Sequence, residues 1–254
     1  MGMIRYGLEG KVFVVTGGSR GIGLELTKEL VKQGAKIAIC GRKQEALDTA
    51  IASIDAPDSV MAVSAHIAKE GDVEKMFERV LEKFNQVDAL INNVGMNLLT
   101  ASVAETDINL WQKIMDTNLN GTFICSCYAA KIMKTRKKGK IVSISSIAGR
   151  RASPGMGIYG IAKAGVEMLT KVLASELAQF GIQVNAVAPS MVRTDFSKPF
   201  WSNDVIYSQV VKSIPMGRIA EPIEVVHPVL FLASDAAGFI TGQTILVDGG
   251  ATAI

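Results

Sequence analysis

Short runs of apolar residues recur along this chain and alternate with longer stretches of helical periodicity. Several runs are continuous rather than alternating in polarity, which is typical of strands buried on both faces. We expect strands at Val12–Thr16, Lys36–Cys40, Val60–Ala65, Ala89–Asn92, Lys140–Ser145, Gln183–Ala188 and Thr244–Val247. Between them, stretches such as Gly21–Gln33 and Val73–Phe84 place apolar residues on one helical face. This repetition predicts one α/β domain over residues 1–254, a doubly wound parallel sheet of about seven strands with helices on both faces.

One segment, from about residue 190 to residue 221, interrupts this rhythm. It contains the aromatic residues Phe196, Phe200 and Trp201, together with Pro199 and Pro215. A long irregular insertion inside a compact α/β domain is usually a functional loop. We expect it to bind substrate.

Composition excludes several classes of protein. The charge balance is 27 − 24 = +3, and so small a surplus argues against a nucleic-acid-binding surface. Three cysteines, Cys40, Cys125 and Cys127, cannot pair completely and match no zinc spacing, which favours a reducing compartment and no metal site. The first apolar run, Val12–Val15, is too short for a signal sequence or a membrane span, so we expect a cytoplasmic protein without membrane contacts.

A glycine-rich turn, Thr16–Gly23, follows the first strand and opens the first helix. In this context Gly17 permits a tight turn, Gly21 lets backbone N–H groups approach a pyrophosphate, and Gly23 allows close helix packing. The residues of the turn expected to bind a dinucleotide are Gly17, Ser19, Arg20, Gly21, Ile22 and Gly23.

The end of the second strand distinguishes between the two common dinucleotides. An NAD site of this type has an acidic residue there for the ribose 2′-OH, whereas this chain has Arg42 and Lys43. Arg42, with Arg20 from the glycine turn, would meet the 2′-phosphate of NADP(H). The alternative, that these cations only solvate the start of a helix, is weakened because they oppose the helix dipole. NAD(H) is the less favoured alternative.

Ser146, Tyr159 and Lys163 form the candidate catalytic group. Tyr159 and Lys163 are four residues apart, so a helix places both on one face. Ser146 follows the fifth strand, at the carboxyl edge of the sheet where open α/β sheets bind ligands. A lysine ammonium favours the tyrosinate, and the serine hydroxyl can polarise a carbonyl for hydride attack.

Together these motifs resemble the short-chain dehydrogenase/reductase family, in its short single-domain branch with a Rossmann fold, over about Leu8 to Gly250. Further matching segments are Asn92-Asn93-Val94-Gly95, Asn118-Leu119-Asn120-Gly121, Ser145–Gly149 and Asn185–Ser190. The resemblance implies that Tyr159 is the general acid/base. It implies that Lys163 lowers the pKa of the tyrosine and binds the nicotinamide ribose, and that Asn118 holds a water linking Lys163 to solvent.

The resemblance also implies further cofactor contacts: Asn93 and Gly95 beside the ribose, Pro189 at the end of the sixth strand, and Val192 and Thr194 at the nicotinamide carboxamide. Three positions depart from the family pattern. Val94 replaces an alanine, Ser190 replaces a glycine, and His66 stands where many members have an Asp that contacts adenine.

The reaction implied is NADP(H)-dependent interconversion of a ketone and a secondary alcohol. Candidate pocket residues are Met96, Ile147, Met156, Met191, Phe196, Phe200 and Trp201, which are apolar and favour a hydrophobic ketone, although core packing is the alternative. Similar patterns occur in carbonyl, tropinone and 3-oxoacyl-thioester reductases. Arg150 and Arg151 could meet the phosphates of CoA or a carrier protein, or could be an ordinary solvated pair.

Two other interpretations stay open. One is an NAD-dependent secondary-alcohol or hydroxyacyl-thioester dehydrogenase. The other is a non-catalytic dinucleotide-binding scaffold, against which the intact Asn118, Ser146, Tyr159 and Lys163 weigh. The family resemblance further implies a homotetramer, in which the apolar stretch Phe123–Met133 could serve as an interface, with Cys125 and Cys127 as small packing residues.

Overall fold

A computed structural model describes residues 4–54, 56–153 and 155–253 of the chain. The strands are β1 Val12–Thr16, β2 Lys36–Gly41, β3 Val60–Ser64, β4 Ala89–Asn92, β5 Gly139–Ile144, β6 Ile182–Pro189 and β7 Thr244–Val247. Each predicted strand is confirmed to within one residue at either end. All strand pairs are parallel, and the seven-stranded sheet has the order β3-β2-β1-β4-β5-β6-β7.

The helices are α1 Gly21–Lys32, α2 Gln44–Ala52, α3 Glu70–Phe84, α4 Ile108–Met115, α5 Gly121–Arg136, α6 Gly157–Leu177, α7 Lys198–Trp201, α8 Asp204–Lys212 and α9 Pro222–Ala233. Glycines close two of the helical segments just before a strand. Gly34 and Gly181 both take a left-handed backbone, with φ of +75° and +67°, just before β2 and β6.

Two apolar layers cover the sheet, as the doubly wound prediction requires. One layer packs α1, α2 and α9 against the sheet through residues such as Leu26, Leu47 and Val229. The other packs α3 and α5 through residues such as Phe77 and Met133. No described helix combines the length and the apolar character needed to cross a membrane.

Cys125 corrects one expectation about α5. The sequence offers it as a small packing residue of an interface along Phe123–Met133, but it is fully buried in the layer between α3, α5 and the sheet, as is Met133. The helix is apolar on several sides, so its sequence does not indicate which side faces the sheet. The large apolar side chain of α5 that remains exposed is Phe123, at 49%.

The strand order reverses between β1 and β4, and this reversal positions the functional site. Chains leaving β1 and β4 turn in opposite directions, which opens a crevice at the carboxyl edge of the sheet. The glycine turn after β1, the ends of β4 and β5, and the segment after β6 all meet at this edge.

Candidate active site

Tyr159 and Lys163 lie on the first two turns of α6, as the four-residue spacing predicts. The Lys163 Nζ is 5.5 Å from the centroid of the Tyr159 ring. Lys163 is only 2% exposed, and its Nζ donates a hydrogen bond of 2.8 Å to the carbonyl oxygen of Ile144 at the end of β5. The two side chains therefore form one compact unit at the carboxyl edge of the sheet.

Burial shifts the pKa values of Lys163 and Tyr159 in opposite directions. It lowers the pKa of Lys163 to about 8 because the ammonium loses its hydration. It raises the pKa of Tyr159 to about 12, opposite to the lowering by Lys163 that the resemblance implies, while hydrogen bonding with the Ser146 side chain acts in the lowering direction. At neutral pH the tyrosine is therefore protonated and the lysine is charged.

Ser146 begins a single turn of 3₁₀ helix, Ile147–Gly149, directly after β5, and its Oγ accepts a hydrogen bond from the Ala148 N–H at 3.1 Å. This turn lies flush on α6. A Cβ at Gly149 would be 2.8 Å from the Ala164 nitrogen, and a Cβ at Gly160 would be 2.6 Å from the Ala148 oxygen. The two glycines thus let the serine segment approach the catalytic helix closely.

Asn118 lies in a π-helical turn, Asp116–Asn120, between α4 and α5. Its amide donates to the carbonyl oxygens of Met96 and Ile114, both at 2.8 Å, and its Oδ1 accepts from the Met96 N–H at 3.0 Å. The side chain therefore holds the loop that follows β4. A Cβ added at Gly95 would lie 3.4 Å from the Asn118 Oδ1 and 3.6 Å from the Lys163 Nζ, so Gly95 borders the same space.

The glycine turn has the geometry of an anion site. Gly17 and Gly21 have φ of +69° and +55°, and α1 begins with no side-chain cap and no acidic residue in its first turn. Its first N–H groups are therefore available to a phosphate. The Asn93 amide donates to the carbonyl oxygens of Thr16 and Gly17 at 3.0 and 3.1 Å, which ties the end of β4 to this turn.

The glycines that allow close contacts in this turn are not quite those that the sequence predicts. A Cβ at Gly23 would lie 2.3 Å from the Gly17 carbonyl oxygen, so Gly23 accommodates the turn itself. The approach to the neighbouring strand depends on Gly18, where a Cβ would lie 2.5 Å from the Ile39 Cγ2. Gly18 was missed, although its place in the glycine run was the available signal.

The far end of the crevice is basic. Arg20, Arg42 and Lys43 are exposed, and none of them joins the ion pairs formed within the described part of the chain. Ser19 lies beside them, with its Oγ 3.9 Å from where a Cβ of Gly41 would be. Uncapped N–H groups, glycines that leave room for a ligand and cations without an ion pair in the described residues fit the phosphates of a dinucleotide.

His66, which replaces an Asp of the family pattern, stabilises the connection between β3 and α3. Its Nδ1 accepts from the Ala68 N–H at 3.3 Å, and its backbone N–H donates to the Asp72 Oδ2 at 2.9 Å. The hydrogen bonds of this histidine are therefore local to the connection.

The segment after β6 closes over the crevice. Val192 pairs with Ala220 in an isolated parallel bridge, and the Thr194 Cγ2 lies 3.3 Å from where a Cβ of Gly21 would be. Thr194 therefore covers the glycine turn. The Trp201 indole N–H lies 3.1 Å from both the Thr194 carbonyl oxygen and the Ser197 Oγ.

This segment is not the irregular loop that the sequence predicted, because it contains α7 and α8. Asn203 caps α8 by accepting from the N–H groups of Val205 and Ile206. Ser190 leaves β6 without a positive φ, since Asn85 and Lys137 are the only described non-glycine residues with one.

Several predicted pocket residues meet beside the catalytic group. Ile147 packs with Met191 and Trp201 in a small apolar cluster between the serine turn and the 190–221 segment. The ring centroid of Phe196 is 6.4 Å from that of Tyr159. Of the other predicted residues, Met96 is the residue held by Asn118, Met156 immediately precedes α6, and Phe200 is half-buried on α7.

Arg150 and Arg151 are engaged within the fold rather than free for a ligand. The Arg150 Nε donates to the Glu167 Oε2 at 2.9 Å, and the Arg151 Nη1 donates to the Ala251 carbonyl oxygen at 2.7 Å. Glu167 and Ser197 were missed by sequence reasoning. The signal for Glu167 was its spacing, four residues beyond Lys163 on the same helical face.

The chain is similar to several known proteins over nearly its whole length. Residues 17–252 match the family model described as enoyl-(acyl carrier protein) reductase. The chain is 38% identical to a 3-oxoacyl-[acyl-carrier-protein] reductase of Synechocystis sp. over 96% of this chain and 97% of that protein. It is also 38% identical to a 3alpha-hydroxysteroid dehydrogenase of Mediterraneibacter gnavus over 96% and 98%.

A similar solved structure is a short-chain type dehydrogenase/reductase from Mycobacterium marinum, with a TM-score of 0.92 and 29% identity over 98% of both chains. The chain therefore belongs to the short-chain dehydrogenase/reductase family of oxidoreductases, which act on CH–OH and C=O groups with a nicotinamide dinucleotide.

Proposed function

We propose that this protein is an NADP(H)-dependent reductase that converts a ketone to a secondary alcohol. The observation that carries the proposal is the group of half-buried Ser146 and Tyr159 with buried Lys163, at one end of a crevice whose other end has cations and no acid directly after β2. A bound nicotinamide dinucleotide supplies the hydride.

The proton affinities of the site support the reducing direction. Hydride addition to a carbonyl carbon leaves an alkoxide, which is a far stronger base than a tyrosinate. Tyr159, with a pKa of about 12, is protonated at neutral pH and can donate that proton. Lys163, with a pKa of about 8, is charged at neutral pH and stabilises the resulting tyrosinate. Ser146 holds the carbonyl oxygen.

The preference for NADP(H) is supported by Arg20 and Arg42. Arg20, at the start of α1, and Arg42, directly after β2, are exposed and form no ion pair within the described residues, so both can bind a 2′-phosphate without first breaking an ion pair.

An apolar substrate is supported by the mouth of the crevice. Leu99 and Val103, 63% and 41% exposed, lie against Gly155 and Gly157 at the start of α6. Phe196 and Val205, 46% and 70% exposed, belong to the 190–221 segment. Exposed apolar side chains near a site favour a substrate with an extended apolar body.

Two substrate classes follow from the named relatives, and both suit these surfaces. A 3-oxoacyl thioester carries an apolar chain, and a 3-ketosteroid carries an apolar ring system. We rank the thioester first because the family model and the Synechocystis relative both concern acyl-carrier-protein substrates. Arg150 and Arg151 give no support here, since both bond within the fold.

A homotetramer is part of the proposal. Phe123 on α5 and Ile161, Met168 and Val172 on α6 are 44% to 58% exposed. Two helices with exposed apolar side chains support an association between copies. Light scattering at micromolar concentration should show a mass about four times that of the chain, whereas a monomer would refute this part.

Fluorescence titration with NADPH and NADH tests the cofactor preference. We expect NADPH to bind at least tenfold more tightly, and Arg42→Ala to remove most of that difference. Arg79→Ala, which removes an exposed cation of α3, is the matched control and should change nothing. Equal affinity for both dinucleotides would contradict the NADP(H) assignment and favour the NAD-dependent dehydrogenase.

A second experiment separates an enzyme from a non-catalytic scaffold. Ketones, 3-oxoacyl thioesters and 3-ketosteroids are offered with NADPH to the wild type and to Tyr159→Phe. We expect turnover by the wild type and a loss of about a thousandfold or more in the variant, with NADPH affinity retained. Tight NADPH binding without turnover of any substrate would favour the scaffold.

A further inference from the structure

Glu167 is a buried acid next to the catalytic group. It is 9% exposed and lies on α6, four residues after Lys163 and eight after Tyr159. Its Oε1 accepts from the Ser145 hydroxyl at 3.2 Å, and its Oε2 accepts from the Arg150 Nε at 2.9 Å. Desolvating a carboxylate is costly, and these two donors offset that cost.

Ser145 and Arg150 are the two ends of the six-residue segment that contains Ser146. Ser145 is 1% exposed, and its backbone N–H donates to the Val187 oxygen of β6 at 2.7 Å. Its hydroxyl also lies 3.3 Å from the Lys163 carbonyl oxygen, so its single proton is shared between α6 backbone and the Glu167 carboxylate. One carboxylate of the catalytic helix therefore ties down both ends of the serine segment.

The segment between these two ends is restrained both in moving towards α6 and in moving away from it. Gly149 and Gly160 bring it into van der Waals contact with α6, which prevents a closer approach. Glu167 supplies the opposite restraint, because both of its hydrogen bonds pull the segment towards the helix. The separation between Ser146 and Tyr159 is then limited from both sides.

We propose that Glu167 is a positioning residue that holds Ser146 against Tyr159 by bonding both ends of the 145–150 segment to the catalytic helix. The inference rests on the proposed ketone reduction, in which Ser146 holds the carbonyl oxygen. Without the carboxylate, the serine hydroxyl is displaced from the oxygen it must meet. A displacement of about an ångström at a reacting centre reduces rates by up to about a hundredfold.

The first test measures steady-state ketone reduction by Glu167→Ala, Glu167→Gln and Glu176→Gln, with NADPH affinity measured separately. Glu176 is an exposed carboxylate of the same helix and serves as the matched control. We expect kcat to fall about tenfold or more in Glu167→Ala and by less in Glu167→Gln, whose amide oxygen can still accept from Ser145. NADPH affinity should stay within about twofold.

A double-mutant cycle distinguishes positioning from general support of the fold. If Glu167 acts through Ser146, adding Glu167→Ala to a Ser146→Ala protein should lower kcat by at most about a further twofold. Losses that multiply in the double variant, or an unchanged kcat in Glu167→Ala, would overturn the proposal. Should Glu167→Ala not fold, Glu167→Gln and Arg150→Lys enter the same cycle.

A readout without turnover separates failure of this inference from failure of the proposed function. Carbon NMR of labelled tyrosine follows the ionisation of Tyr159, assigned by its loss in Tyr159→Phe. Because the Ser146 side chain lowers the pKa of Tyr159, Glu167→Ala should raise that pKa in the same direction as Ser146→Ala does. An unchanged tyrosine pKa would overturn the positioning role, whether or not the wild type reduces a ketone.

Discussion

Lys163→Met should change the pH dependence of stability in a way that follows from the burial of the lysine. Burial lowers its pKa from 10.5 to about 8, and since the side chain is 2% exposed, solvent does not screen the effect. One pKa unit corresponds to about 1.4 kcal/mol, so the charged lysine costs the folded state about 3 kcal/mol near neutral pH.

The sign follows from proton linkage. Between about pH 8 and pH 10.5 the unfolded lysine is protonated and the folded one is not, so the wild type gains stability as pH rises through this window. The methionine variant has no such gain. The free energy of unfolding of the variant minus that of the wild type should therefore fall by about 2 to 3 kcal/mol from about pH 7 to about pH 10.

At neutral pH the variant should be stabilised by less than the full cost of the buried charge, because it also loses the Lys163 hydrogen bond to the Ile144 oxygen. Such a bond to a charged group contributes about 1.5 to 3 kcal/mol. Comparing two pH values cancels this contribution and the packing of the methionine.

Urea unfolding at a series of pH values, with constant m-values, measures the difference. Lys171→Met, which removes an exposed lysine of the same helix, is the control and should show no such trend. A gap between Lys163→Met and the wild type that is constant over this pH range, or that widens as pH rises, would refute the assignment of a neutral buried lysine at high pH.

Three further predictions concern glycine packing, the 190–221 segment and the thiols. Gly18→Ala should lower the free energy of unfolding by about 1 to 3 kcal/mol, because its Cβ would lie 2.5 Å from a β2 side chain. Gly71→Ala in α3, where a Cβ meets nothing within 4 Å, should raise the free energy of unfolding by up to about 1 kcal/mol. Urea unfolding of both variants checks this contrast. Trp201→Phe removes the indole donor that bonds to Thr194 and Ser197 within this segment. We expect the KM for the ketone to rise several-fold, with a smaller effect on NADPH affinity. An unchanged KM would mean that the segment does not contact substrate. Alkylation of the native protein should modify Cys127 alone, as mass spectrometry can detect. Burial raises the pKa of the Cys40 thiol to about 12 and leaves Cys125 inaccessible. Rapid labelling of either buried thiol would show that the core opens.

Much of the fold follows from local sequence because strands buried on both faces leave continuous apolar runs. β1, β4 and β7 match their predicted bounds, and the glycine turn lies where the first strand meets the first helix. The proximity of Tyr159 to Lys163 is likewise a local property, since helical periodicity alone places residues four apart on one face.

Contacts between distant residues could not be predicted in this way. Arg150 and Arg151 look like a solvated pair in sequence, but their partners lie 17 and 100 residues away. The helices of the 190–221 segment are too short for a clear periodic pattern, and the residue that caps α8, Asn203, is equally common in turns.

The central claim is that this protein transfers hydride from NADPH to a ketone with Tyr159 as the proton donor. The most direct measurement follows deuterium from NADPH labelled at the transferring carbon into the product alcohol, for simple ketones, 3-oxoacyl thioesters and 3-ketosteroids. We predict that the wild type places deuterium on the carbinol carbon and that Tyr159→Phe, although it binds NADPH, produces almost none. Tight NADPH binding with no deuterium in any product, or equal transfer by Tyr159→Phe, would contradict the account.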